Sequence, residues 1–115
     1  MARIRHLAIV TENRETLVKF YTQAFGMKRV EGEGPAIYLS DGYMNLAIIQ
    51  KRPQYKNGLY HFGFEVENTD ALRPVFKELG ASSEVEKRPQ NREAEHRVHD
   101  PDGNPIDLSQ HGWPV

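Results

Sequence analysis

Apolar positions along the chain switch between two periods, and the order of the switches predicts the fold. Ile4 to Val10 alternates and is rich in branched residues, which predicts a strand. From Arg14 to Phe25 the apolar residues Leu17, Phe20, Tyr21, Ala24 and Phe25 recur at helical spacing, with Asn13 as amino cap and Gly26 as the stop. Three short strands follow, at Lys28 to Glu31, Ala36 to Ser40 and Tyr43 to Gln50, separated by turns that use Gly32, Gly34, Pro35, Asp41 and Gly42. After the polar stretch KRPQYKNG the same order begins again. Leu59 to Val66 reads as a strand and Asp70 to Leu79 as a helix stopped by Gly80. Strands near Ser83 to Glu86, Glu93 to His99 and Asn104 to Ser109 complete the second unit. Pro74 falls inside the second helix, near enough to its start for a missing amide to cost little.

The two units match in detail as well as in order. His6 stands ahead of Val10-Thr11-Glu12-Asn13, and His61 ahead of Val66-Glu67-Asn68-Thr69; each valine leads into an acidic and amidic helix start. Asp41-Gly42 precedes Met44-Asn45-Leu46, and Asp102-Gly103 precedes Ile106-Asp107-Leu108. A duplication of about 55 residues explains this. The expectation is one α+β domain of two tandem βαβββ modules forming a curled mixed sheet. Module 1 covers residues 1–51, a linker 52–58, and module 2 residues 59–115.

Strand alternation sorts the side chains by face. Phe62, Phe64 and Val66 point one way and His61, Gly63 and Glu65 the other; Leu7 and Ile9 oppose His6 and Ala8; Leu46 and Ile48 oppose Asn45 and Ala47; Ile106 and Leu108 oppose Asp107 and Ser109. Apolar faces want helices. The remaining faces carry small or polar residues and hold two imidazoles and a carboxylate, which describes a concave sheet with a polar floor. Taken singly, each His is more often a hydrogen-bonded sheet residue, and Asp107 a turn carboxylate. Equivalent placement in duplicated units makes His6, His61 and Asp107 a metal-ligand set with open positions for substrate. Fe, Mn, Ni, Co and Zn are all chemically admissible, so the implied cofactor is a divalent transition metal. By the same alternation Glu93, Glu95 and Arg97 share a face. If it is the cavity face, Arg97 holds an anionic substrate and Glu95 orients a ligand or acts as base; the alternative is a solvated edge strand of alternating charge.

Composition narrows the partners. The 115 residues carry 15 Lys plus Arg and 16 Asp plus Glu, a formal charge of -1, so no global field draws nucleic acid or an anionic membrane. A small molecule or a second copy of the chain is the expected partner. The absence of cysteine removes thiolate ligands, disulfides and cysteine nucleophiles and fits a reducing, cytoplasmic setting. No apolar window approaches a membrane span, and no signal-peptide core is present near the amino terminus. Gly32-Glu33-Gly34 lacks the context of a phosphate loop, and no serine sits in a nucleophile elbow. His111 and Trp113 fall in a short tail, expected to be mobile, with a lid over a neighbouring cavity as the alternative.

Several motifs together resemble one known family. They are the first-strand His6, the pairs Phe20-Tyr21 and Phe25-Gly26-Met27, Tyr60-His61-Phe62-Gly63-Phe64, and the run from Asp100 to Leu108. In these, over nearly its whole length, the chain resembles the vicinal-oxygen-chelate superfamily. That group includes glyoxalase I, extradiol dioxygenases, methylmalonyl-CoA epimerase, fosfomycin-modifying thiol transferases and bleomycin-resistance proteins. The resemblance implies paired βαβββ modules curled around a divalent metal, often in a homodimer whose sites combine modules of two chains. It puts His6, His61 and Asp107 on three ligand positions, Asp107 standing where the family usually has Glu. The fourth position falls on Asn45, which offers at most a weak carbonyl ligand and cannot act as a base, so proton shuttling between two carboxylates is disfavoured. Two His and one carboxylate resemble the extradiol dioxygenases and thiol transferases. In the latter's phosphonate loop Lys87 matches but Glu95 and Arg97 stand at Ser and Tyr positions, which argues against fosfomycin. The function this implies is a metal-dependent enzyme, dioxygenase-like or lyase/isomerase-like, that chelates neighbouring oxygens of a small substrate. The alternative is a metal-free antibiotic-binding resistance protein of the same fold.

Overall fold

In the computed structural model, which describes residues 2–115, ten elements run in the order β-α-β-β-β twice over. Met1, where the first module was expected to begin, lies outside the described residues. The first run is β1 (Arg3–Thr11), α1 (Arg14–Phe25), β2 (Lys28–Val30), β3 (Ile37–Ser40) and β4 (Asn45–Gln50). The second is β5 (Gly58–Glu65), α2 (Thr69–Glu78), β6 (Glu86–Lys87), β7 (His96–His99) and β8 (Pro105–Ser109). All eight strands join one mixed sheet in the order β2-β3-β4-β1-β5-β8-β7-β6. β1 pairs with β4, and β5 with β8, in parallel; β1 and β5 meet antiparallel at the centre. This is the expected α+β architecture. None of the described helices is long and apolar enough to cross a membrane.

Local chemistry sets the helix ends. Asn13 Oδ1 accepts from the Thr16 amide at the start of α1, and Gly26 closes it at φ 72°, a left-handed conformation that suits a residue without Cβ. Asn68 caps α2 in the same way through the Ala71 amide. Pro74 lies in the second turn of α2, deeper than the sequence suggested, so its missing N–H deprives the Asp70 carbonyl of a helical partner. Pro74 is exposed, where water can replace that bond.

Each helix covers the apolar face of its own half. Val18 of α1 packs on Ile37, Leu39, Leu46 and Ile48; Leu72 and Phe76 of α2 pack against Val66, Val98 and Leu108. The opposite face has a separate small cluster of Ala8, Tyr38 and Ala47, bordered by Ile49 and Tyr60. Alternation therefore divides the residues as the pattern predicted.

Three segments depart from it. The strand expected near Ser83 to Glu86 is only Glu86–Lys87, as Ser82 and Ser83 instead bond across to Asp100 and His99. The strand expected over Glu93 to His99 begins only at His96, because the Glu93 carboxylate turns back to accept from the Glu33 amide, 2.5 Å away. The tail, expected to be mobile, is docked: Trp113 is buried, and residues 109–114 lie across the concave face.

Candidate metal centre

The central strands deliver one polar group each to the floor of the concave face. His6 comes from β1, His61 from β5 and Asp107 from β8, all three buried. One ligand atom from each lies within 4.8 Å of the others. His6 Nε2 and His61 Nε2 are 3.1 Å apart, and His61 Nε2 is 3.1 Å from Asp107 Oδ2. Ligands about 2.0–2.2 Å from a common ion, at right to tetrahedral angles, stand about 3.0–3.5 Å apart, so both short separations suit a shared cation. The wider spread of the set calls for a small inward movement on its third side.

Neighbouring residues set the protonation of His6 and Asp107. Asn45, in register beside His6, donates from Nδ2 to the Pro114 carbonyl at 2.8 Å, which settles the orientation of its amide. Its Oδ1 then accepts from His6 Nδ1 at 2.7 Å, leaving the Nε2 lone pair of His6 aimed at the cluster. Burial, then the nearby His61, lower the His6 pKa to about 4, against the opposing bond to Asn45, so the ring is neutral at neutral pH and able to offer its lone pair. Asn45 is thus occupied with His6 and the tail.

Burial alone would raise the Asp107 carboxyl, but the bonds and charges of His61 and Arg97 outweigh it and hold the group well below the usual carboxylate range. Arg97 donates from Nε to Asp107 Oδ1 at 2.5 Å and from an η nitrogen to the Tyr60 hydroxyl at 3.1 Å. Its other η nitrogen lies 3.5 Å from His61 Nδ1. Arg97 therefore borders the cavity with its guanidinium committed to Asp107 and Tyr60, where the sequence suggested a grip on substrate.

Glu95 is directed elsewhere. It accepts from Ser109 Oγ at 2.8 Å and from the Gln110 amide at 2.6 Å, and pairs with His111, so it clamps the tail and does not line the cavity. Glu93 borders the cavity and holds His111 from the other side at 3.2 Å. The tail it secures carries Trp113 onto His6, with ring centroids 4.8 Å apart and planes 3° from parallel. Gly63 permits that approach, since a Cβ there would lie 2.7 Å from the indole. The docked Trp113 matches the alternative of a tail lying over a cavity, here the chain's own, whereas the pairing of Arg97 with Asp107 escaped the sequence pattern; the signal for the tail was a glycine between two phenylalanines, facing an apolar Trp-Pro-Val end.

Above the floor opens a cavity of about 210 Å³, walled by Tyr38, Tyr55, Tyr60, Ile49 and Trp113 and rimmed by arginines. Its mixed lining, aromatic walls with a few charged groups, suits a small organic molecule.

The family model described as the Glyoxalase/Bleomycin resistance protein/Dioxygenase superfamily matches residues 3–108. The chain belongs to this superfamily. No curated protein matches it significantly. Among solved structures, a hypothetical protein from Bacillus halodurans C-125 is similar at 16% identity, covering 93% of this chain and 92% of that one with a TM-score of 0.74. Methylmalonyl-CoA epimerase from Mycobacterium tuberculosis is 16% identical over 91% of this chain and 85% of its own, TM-score 0.69. Homoprotocatechuate 2,3-dioxygenase from Brevibacterium fuscum is 21% identical over 98% of this chain but 37% of its own, TM-score 0.74. At these identities the likeness is one of fold. The superfamily's description joins glyoxalases, bleomycin resistance proteins and dioxygenases, so the choice among such roles rests on the centre itself.

Proposed function

We propose that this superfamily member is a cytoplasmic, metal-dependent enzyme in which His6, His61 and Asp107 hold one divalent ion and the cavity above them takes a small substrate. The observation that carries this reading is the convergence of two imidazoles and a carboxylate at the base of a cavity. A bound divalent ion would supply Lewis-acid polarisation of two adjacent substrate oxygens. Within the chain, Asn45 keeps the His6 lone pair directed at the ion, and Arg97 turns the Asp107 carboxylate toward it. Tyr38, Tyr60 and Trp113 exclude water around the substrate. Neither Asn45 nor the engaged Glu93 offers a free general base, which favours chemistry in which the substrate enters already deprotonated or loses its proton to solvent.

A homodimer of two βαβββ modules per chain accompanies this reading. Its support is the apolar strip left uncovered between the helices, where Ile4, Leu7 and Leu59 are 44%, 37% and 75% exposed on the central strands.

The test is metal analysis of protein purified without chelator and again after reconstitution. Close to one equivalent per chain is expected, lost in His6→Ala and His61→Ala. Substoichiometric metal after reconstitution with each of Fe(II), Mn, Ni, Co and Zn would sink the proposal. One feature favours a second reading, a metal-free binding protein: the Arg97 guanidinium already neutralises Asp107. Binding of bleomycin-like or phosphonate compounds that is indifferent to metal would mark it.

A further inference from the structure

Five of the residues bordering the cavity are arginines, in a chain whose formal charge is -1. Arg97 is spent on Asp107. The other four, Arg14, Arg52, Arg88 and Arg92, form no ion pair among the described residues. They converge from separate segments: the start of α1, the connector before β5, and the 88–92 loop. Arg14 and Arg92 flank the 33–35 loop, Arg14 donating to the Pro35 carbonyl at 3.0 Å and the Arg92 Cδ lying 3.5 Å from where a Gly34 Cβ would stand. The Arg88 Nε is buried with no hydrogen-bond partner.

The acidic groups facing this ring do not answer it. Asp107 is held by Arg97 and His61, and Glu93 by the Glu33 amide and His111. Burial, followed by the like charge of Arg97, pushes Arg88 below its ordinary value, with Arg92 adding to the repulsion against the pull of Asp107. A buried guanidinium N–H without a partner is costly unless something else accepts from it.

We propose that the Arg88–Arg92 side of the cavity is an anion subsite, so that the substrate is a small molecule carrying a terminal oxyanion, carboxylate or phosphoryl. Guanidinium forks match either group bidentately, and convergence of several in a partly enclosed site selects charge over shape. The cavity of about 210 Å³ suits a small ligand body. With its charged end at Arg88 and Arg92, the rest of such a molecule lies along the tyrosine wall toward His6 and His61.

This deepens the enzyme reading by naming its substrate class, yet it is testable on metal-free protein. Trp113 is the chain's one tryptophan and walls the cavity, so its fluorescence reports occupancy. Chelator-treated protein is titrated with phenylphosphonate, benzoate and benzyl alcohol, with calorimetry as a second readout. One or both anions should bind saturably, and benzyl alcohol at least about tenfold more weakly. Whichever anion binds more tightly identifies the phosphoryl or the carboxylate as the natural group. Arg88→Gln and, on its exposed loop, Arg92→Gln should each weaken the preferred anion about tenfold while circular dichroism stays native. No saturable anion binding, equal affinity for the alcohol, or unchanged anion affinity in both folded variants would overturn the subsite. Anion binding to a protein that takes up no metal keeps the subsite and discards the metal centre; the converse pattern does the opposite.

Discussion

The indole of Trp113 lies flat on the imidazole of His6, 4.8 Å between centroids and 3° from parallel. A residue near the end of the chain thereby walls the candidate centre and shields a ring that must stay neutral to bind metal. Removing the indole should both open the centre and cost packing. Trp113→Ala is expected to lose about 3 kcal/mol or more, the usual range for a buried Trp truncation, measured by urea unfolding. Hydrogen exchange of the His6 and Asn45 amides should quicken, and an unchanged unfolding midpoint would show the tail to be dispensable.

Gly63 offers a gentler perturbation of the same contact. The β-carbon of alanine there would stand 2.7 Å and 2.8 Å from two indole carbons and 3.2 Å from the Asp107 carbonyl, so either the tail lifts or the β5–β8 pairing shifts. Gly63→Ala should cost about 1–3 kcal/mol, as overpacking does, and shift Trp113 emission to the red. A native emission maximum would mean the tail does not bear on Gly63.

Much of this was legible in the sequence, and the limits have physical causes. The bounds of α1 follow from Asn13 and Gly26, both of which act locally, and the face of His6, His61 and Asp107 follows from alternation within single strands. The late start of β7 was hidden because Glu93 is recruited by the Glu33 amide, sixty residues away in sequence. Arg97 looked free to meet substrate because its cross-strand neighbour, Asp107, becomes apparent only with the β7–β8 register. The tail read as mobile because its anchors lie outside it, Glu93 and Glu95 in the loop before β7 and Asn45 at the start of β4.

The ligand residues should differ sharply in what their loss does to stability. Asp107→Ala strands the buried Arg97 guanidinium and should cost about 3–5 kcal/mol, while His61→Ala leaves no charge unpaired and should cost less. Both should lose metal uptake. Paired urea unfolding and metal analysis separate the effects; equal stabilities would mean the Arg97 pair contributes little.

Tail docking should weaken as the solution turns alkaline. Burial alone would lower His111, but its bonds and charge pairing with Glu93 and Glu95 raise it above 6.5. The folded state therefore binds the proton more tightly than the unfolded chain, and the stabilisation is complete below pH 6.5 and fades as pH rises through the folded value. An NMR titration of the His111 ring should give a midpoint above 6.5. The decline in unfolding midpoint over that window should vanish in His111→Gln, and a ring titrating at or below its ordinary value would contradict the arrangement.

Only the antiparallel seam between β1 and β5 joins the two halves of the sheet by backbone pairing among the described residues, and its register breaks on either side of His6-Leu7-Ala8. Because strand side chains alternate, sliding that short stretch by one position would send His6 into the helix-covered interior and bring Leu7 to the floor. The two irregularities therefore act as stops on a sliding joint. The middle of the seam that fastens one half to the other thus also decides whether His6 can meet His61 and Asp107 at all.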